Sequence, residues 1–214
     1  MKKPLFVLVI LPLLLPIGAS ASVSPQSGAF NGCPVSGSSS EKATLNRLKN
    51  RSDQFVGARR MTSAEINALP TSPNSKVNEW QSHMVIVQGF LIAIKQQGKE
   101  STNCGGTGSA MTDNHLWLVD STEQVDLTNA QTIQKSKAAS TVIEITPRWR
   151  AANPGWKLTN IQRHINEKAK FRITGWLMLD PEHPDQIGKT RGSLWEIHPI
   201  TKIEFLNGNT WVEL

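Results

Sequence analysis

The run Met84 to Lys95, MVIVQGFLIAIK, constrains this chain more than any other segment. β-branched and aromatic residues suit a pleated, half-buried strand. Gly89 sits in its middle, where a strand can bulge or bend sharply. A strand bent in this way can curl through both halves of a small closed barrel.

Four more runs read as strands: His115 to Asp120 (HLWLVD), Thr141 to Arg148 (TVIEITPR), Phe171 to Leu179 (FRITGWLML) and Leu194 to Phe205 (LWEIHPITKIEF). Gly98, Gly105, Gly106 and Gly108 mark 96–112 as a loop, Asn153-Pro154-Gly155 is a turn, and 181–192 is a polar connection. After the third strand Ile161, Ile165 and Ala169 recur every four residues, with Thr159 and Gln162 at capping-box spacing, so a helix is expected there. Strand, strand, strand, helix, strand, strand is the layout of the oligonucleotide/oligosaccharide-binding (OB) barrel. The expected fold is therefore mostly β: a five-stranded OB-like barrel with one helix between strands three and four, plus a short helical N-terminal region. A flat α+β sheet carrying one helix is the competing reading.

The N-terminus carries an address. Lys2 and Lys3 precede an apolar run from Pro4 to Ile17, and Ala19-Ser20-Ala21 gives a small-x-small site. This is the layout of a signal peptide cleaved after Ala21. The run is about 14 residues, shorter than the ~20 that span a bilayer, and Pro12 and Pro16 interrupt it. Export to the periplasm or medium is expected, with no stable membrane insertion after cleavage. The domains read as 1–21 signal peptide, 22–40 flexible leader rich in Ser, Gly and Pro, 41–79 accessory helical region, and 80–214 OB-like barrel. Within the accessory region Glu41 to Arg51 suits a short basic helix. Thr62-Ser63-Ala64-Glu65 is a capping box, stopped by Pro70.

Cys33 and Cys104 are the chain's 2 cysteines. In an oxidising compartment they most simply pair, closing a loop of about 70 residues worth ~4 kcal/mol in the chain-entropy model. Two free thiols remain the other reading. A zinc site is disfavoured, because neither cysteine has a second within ligand spacing. The formal charge is +6, and cleavage would remove Lys2 and Lys3, leaving a mildly basic chain that favours acidic partners weakly.

The segments ESTNC (100–104), HLWLVD (115–120), EITPRWR (144–150), GWLMLDPEHP (175–184) and WEIHPITKIE (195–204) resemble an uncharacterised family of bacterial exported proteins, over about residues 45 to 205. That resemblance implies relatedness and supplies no reaction. More distantly, the strand order is similar to that of staphylococcal-nuclease-like barrels. Their pattern of two arginines with an acidic metal-binding pair does not align here residue by residue.

Polar groups inside apolar strands are costly unless paired, so they are the candidates for chemistry. His115 opens the second strand, Glu144 lies within the third, and Glu196 and His198 share one face of the fifth. Gathered at one opening of the barrel, the four form a tentative catalytic centre: two imidazoles and two carboxylates for a divalent ion or for acid–base work. A structural ion pair at the rim is the alternative. Arg148, Trp149 and Arg191 are candidate ligand contacts, the indole for stacking and the arginines for phosphate or carboxylate. Asp180-Pro181-Glu182-His183-Pro184 reads as a rigid turn or as a cation loop. No nucleophile elbow and no phosphate loop occurs in the sequence.

Two functions follow. One is an exported binding protein for an extended ligand, single-stranded nucleic acid or an envelope glycan, with no cofactor firmly implied. The other is a secreted metal-dependent hydrolase, such as a phosphodiesterase or nuclease, using the same centre with a divalent metal.

Overall fold

The structure is a computed structural model that describes residues 22–53 and 57–214. The expected signal peptide, 1–21, lies outside the described residues. Helix α1 (Ala43–Lys49) leads to a short strand β1 (Arg59–Met61), then α2 (Ser63–Asn67) and α3 (Asn74–Gln81). The main sheet follows: β2 (Met84–Gln96), β3 (Asn114–Val119), α4 (Ala130–Lys137), β4 (Thr141–Ile145), α5 (Pro147–Ala152), α6 (Leu158–Asn166), β5 (Lys170–Leu179), β6 (Trp195–Asn207) and β7 (Thr210–Glu213).

The strands run β1-β2-β3-β4-β6-β5, and β5 returns to pair with β2. Strands β2, β3, β4, β6 and β5 thus close into the expected OB-like barrel. The remaining two lie outside the ring, β1 parallel to β2 and β7 antiparallel to β6. The closure rests on β2, whose residues Met84 to Phe90 pair with β5 and whose residues Phe90 to Gln96 pair with β3. Its register shift falls between Leu91 and Ala93, not at Gly89. Gly89 serves a different need, because a Cβ there would sit 2.2 Å from the Val119 carbonyl oxygen.

The interior is apolar. Leu116 and Leu118 of β3, Ile143 and Ile145 of β4, and Trp195 and Ile197 of β6 pack with Val85, Val87, Phe171 and Ile173. The period of two then puts His115, Glu144, Glu196 and His198 on the outer face of the same wall. Next to them on that face, Ile92, Trp117, Val119, Val125 and Val142 form a second, smaller cluster.

Four expectations need correction. The third strand stops at Ile145, because Pro147 has no N–H for the ladder and takes the first position of α5 under a Thr146 cap. Two helices, α5 and α6, therefore lie between the third and fourth barrel strands, and α4 lies between the second and third. The capping box at Thr159 and Gln162 does not form, since α6 begins at Leu158 with Lys157 as an N-cap that makes no side-chain bond. The box at Thr62 and Glu65 does form.

The segment expected to be a flexible leader is tied to the barrel. The disulfide Cys33–Cys104 fixes it to the loop after β2. Asn153 Nδ2 donates to the Val23 carbonyl at 2.9 Å, and Arg148 Nη2 donates to the Cys33 carbonyl at 2.8 Å. The 41–79 region also belongs to the same body, since α1 packs on β6, α2 on β4 and β6, and α3 on β5.

Candidate functional site

The four polar strand residues come together, on the outer wall of the barrel under a roof rather than at its opening. β3 and β4 pair His115 directly with Glu144, and the parallel pairing of β4 with β6 sets Val142 opposite Glu196. His115 Nε2 lies 2.5 Å from one Glu144 oxygen. His198 Nδ1 lies 3.0 Å from the other and 3.5 Å from Glu196.

Residues from loops and α1 complete the centre. Asp113, just before β3, approaches His198 Nε2 at 3.9 Å and accepts from Asn103 Nδ2 at 3.0 Å. Arg191 is held between Asp180, at 3.2 Å, and Glu196. Lys49 of α1 reaches Glu100 at 3.2 Å and Glu182 at 3.9 Å. Lys49, Glu100, Asp113 and Asp180 carry no periodic signal, because polar residues are the default in loops and short helices. Their position comes from long-range ties: Thr102 donates to Asn46 Oδ1 at 2.7 Å, and Asn50 Nδ2 donates to the Val35 and Thr102 carbonyls, both at 3.1 Å.

Six carboxylates, Glu100, Asp113, Glu144, Asp180, Glu182 and Glu196, thus crowd around two fixed cations, Lys49 and Arg191, and the protonation states separate accordingly. Burial and the Glu196 charge push the Glu144 carboxyl well above its ordinary range. Burial and Glu100 push Asp113 up, and burial and Glu196 push Asp180 up. Burial also works against Glu196, but His198 and Arg191 outweigh it and hold that carboxyl below the usual range. His198 is raised, since Glu144, Glu196 and Asp113 outweigh its burial, whereas burial lowers His115. Burial opposes the Lys49 charge too, yet Glu100, Glu144, Glu196 and Asp180 keep it firmly protonated.

His115 is where this centre meets solvent. Its side chain is 13% exposed, against 2% for Glu144 and 0% for His198. It forms part of a pocket of about 450 Å³ lined also by Lys42, Lys49, Lys99, Glu100, Glu182 and His183. One ligand atom each from Glu100, His115 and Glu144 lies within 4.8 Å of the others at this place. His115 Nε2 has no hydrogen-bond partner among the described residues, because its approach to Glu144 lacks hydrogen-bond direction. Two carboxylates and an imidazole suit a divalent transition ion.

Of the three expected ligand contacts, Trp149 and Arg148 lie elsewhere. Trp149 is fully buried, stacked on Trp156 at 6.2 Å between ring centroids, and its Nε1 donates to the Arg51 carbonyl at 2.8 Å. Arg148 is buried as well, with Nε donating to Asn50 at 3.0 Å and Nη1 to the Gly28 carbonyl. The early end of the third strand explains both: on α5, rather than on a strand rim, these side chains turn inward. Arg191 is inside the polar centre, bound to carboxylates of the chain itself. In the 180–184 segment Asp180 accepts the Glu182 N–H at 2.9 Å, which is the turn reading, while Glu182 reaches outward to Lys42.

No family model, no curated protein and no solved structure matches the chain. Of the resemblances, what the structure supports is the closed five-stranded barrel.

Proposed function

We propose that this chain is an exported, metal-dependent hydrolase of a phosphodiester or a related anionic ester. One observation carries the reading: Glu100, His115 and Glu144 converge within 4.8 Å at a pocket lined by three lysines. The place supports it as well. OB barrels bind ligands on the face of their second and third strands and on the loops after strands one and four. Here those are β3, β4, the 97–113 loop with Glu100 and Asp113, and the 180–194 loop with His183 and Arg191. This second support is an analogy of fold.

The chain's residues divide the work. A bound divalent ion would polarise the ester and lower the pKa of water. Lys42, Lys49 and Lys99 offset the anionic oxygens of the substrate. His183, with a side chain 41% exposed at the pocket, is placed to protonate a leaving group. Arg191 and Glu196 stand behind His198, and His198 in turn faces Glu144, fixing its orientation.

An extended-ligand binding protein is the weaker reading, since Arg148 and Trp149 are withdrawn into the core. Among anionic esters, single-stranded nucleic acid and phosphorylated envelope polymers remain the candidate partners. The Cys33–Cys104 disulfide is consistent with an oxidising compartment. No helix among the described residues is long and apolar enough to cross a membrane. With the N-terminal signal pattern, these features support a periplasmic or secreted location.

The test is turnover of bis(4-nitrophenyl) phosphate, single-stranded DNA and RNA by the disulfide-bonded protein, with Mn²⁺, Zn²⁺, Mg²⁺ or Ca²⁺ and a chelator control. Expected is chelator-sensitive hydrolysis that His115→Ala abolishes. Retention of nucleic acid with no turnover under any metal returns the protein to the binding reading.

A further inference from the structure

Glu144 has two carboxylate oxygens, and each faces a different imidazole. The oxygen near His115 lies behind that imidazole, which lines the pocket. The other faces inward, toward a second group formed by Asp113, Glu144 and His198. One ligand atom from each lies within 4.8 Å of the other two, and all three residues are buried.

The polar atoms of this inner group face one another as close ion pairs, His198 Nδ1 at 3.0 Å from Glu144 Oε2 and 3.5 Å from Glu196 Oε2, but without well-directed hydrogen bonds. Asp113 Oδ2, Glu144 Oε2, Glu196 Oε2 and both ring nitrogens of His198 have no hydrogen-bond partner among the described residues, and none reaches solvent. Burial of such atoms without well-directed partners is unfavourable. Several gathered at one spot call for a shared partner. The fixed cations nearby are already engaged, Lys49 with Glu100 and Arg191 with Asp180 and Glu196. A divalent cation would satisfy several of these atoms at once and offset the surplus of buried carboxylates.

We propose that Asp113, Glu144 and His198, with Glu196 as a further donor, form a second divalent-metal position, joined to the pocket position through the Glu144 carboxylate. The result is a carboxylate-bridged pair in which the outer ion meets substrate and the inner one is sealed. Two-ion sites of this kind clamp the attacking and leaving oxygens of a phosphoryl displacement from ions ~3.5–4 Å apart. The mixed nitrogen and oxygen donors favour Mn²⁺ or Zn²⁺ over Ca²⁺. The pair rests on the metal reading of the pocket but not on hydrolysis.

The experiment strips the full disulfide-bonded protein with chelator, reloads it with Mn²⁺, removes free ion, and reads metal content by elemental analysis and coupling by electron paramagnetic resonance. Two ions per chain with an exchange-coupled spectrum are expected. Asp113→Asn should leave one uncoupled ion, and Glu100→Gln should weaken the other position. His198→Gln gives a second route to the inner position if Asp113→Asn does not fold. One ion per chain in the wild type, or an unchanged stoichiometry in both inner-site variants, overturns the pair. Two coupled ions without turnover leave the pair standing and remove the hydrolase; no bound ion removes both.

Discussion

Glu144 and His115 are cross-strand partners on the outer wall of the barrel, with a carboxylate oxygen and Nε2 2.5 Å apart. The ladder fixes this pair, so it needs no loop to assemble. It also sets a carboxyl among carboxylates, where Glu196 and burial favour its neutral form. A group held this way is poorly used as a structural anion and well used as a ligand or proton carrier.

Glu144→Gln should therefore separate activity from stability. In chelator the substitution keeps the shape and gives up a charge that burial and Glu196 already disfavour, and the unfolding free energy should change by no more than about 1 kcal/mol. Turnover should fall by about 10²-fold or more. Urea unfolding at neutral pH beside a phosphodiester assay checks both. A loss of several kcal/mol would instead mark Glu144 as the anchor of a structural ion pair.

Trp149 and Arg148 should behave as structural residues. Trp149→Ala removes a fully buried indole and its bond to the Arg51 carbonyl, and should cost about 3–5 kcal/mol. Arg148→Lys keeps the charge but loses the fork that reaches Asn50, Gly28 and Cys33. Its expected effect is a loosened leader, read as faster proteolytic cleavage near residues 24–32. Weakened nucleic-acid binding by a stable Trp149→Ala protein would contradict this assignment.

The strands were legible because apolar alternation and β-branched residues carry them. The run 84–95 became Met84–Gln96, and 171–179 became Lys170–Leu179. His115, Glu144, Glu196 and His198 stood out for the same reason, as polar breaks in apolar runs. Their side of the wall was not legible. Both faces of β6 are buried from Trp195 to Thr201, one by the core and the other under the added segments, so alternation there does not tell inside from outside. What covers the outer face is set by contacts across long separations, such as Asn50 with Thr102 and Arg148 with Cys33, which no local pattern reports. Helix α4 escaped because Ile133 is the lone large apolar residue in AQTIQKSK. The strand reading of TVIEITPR fails at Pro147, where the ladder loses its donor.

The disulfide should matter to the site as well as to the fold. Cys104 lies four residues after Glu100, in the loop that α1 and the leader clamp. Replacing both cysteines by Ser should cost ~4 kcal/mol through the loop it closes. It should also weaken Mn²⁺ retention at the pocket position, because Glu100 is no longer held against Lys49. Thermal unfolding and metal titration of the double variant check this at a temperature where it is folded. Unchanged retention would mean that Asn46 and Asn50 alone position the loop.

Acid sensitivity should be traceable to Glu204 on β6. Its carboxylate takes a forked pair of bonds from Arg172 of β5, one of them at 2.6 Å from Nε, and an ion pair from Lys202 at 3.1 Å. Burial works against the charge, but Arg172 and Lys202 outweigh it and hold the folded pKa below the ordinary 4.5. On acidification the unfolded chain then takes up this proton first, so stability rises with pH across the interval between the two values. The contribution is complete above the unfolded pKa and disappears as pH falls through the folded one. Glu204→Gln removes it, so wild-type and variant unfolding free energies should meet at low pH, separate as pH climbs toward about 4.5, and keep a constant gap above it. Urea unfolding of both proteins from about pH 2.5 to 6 measures the gap, and a gap independent of pH would show that the Arg172 fork leaves the Glu204 titration unmoved.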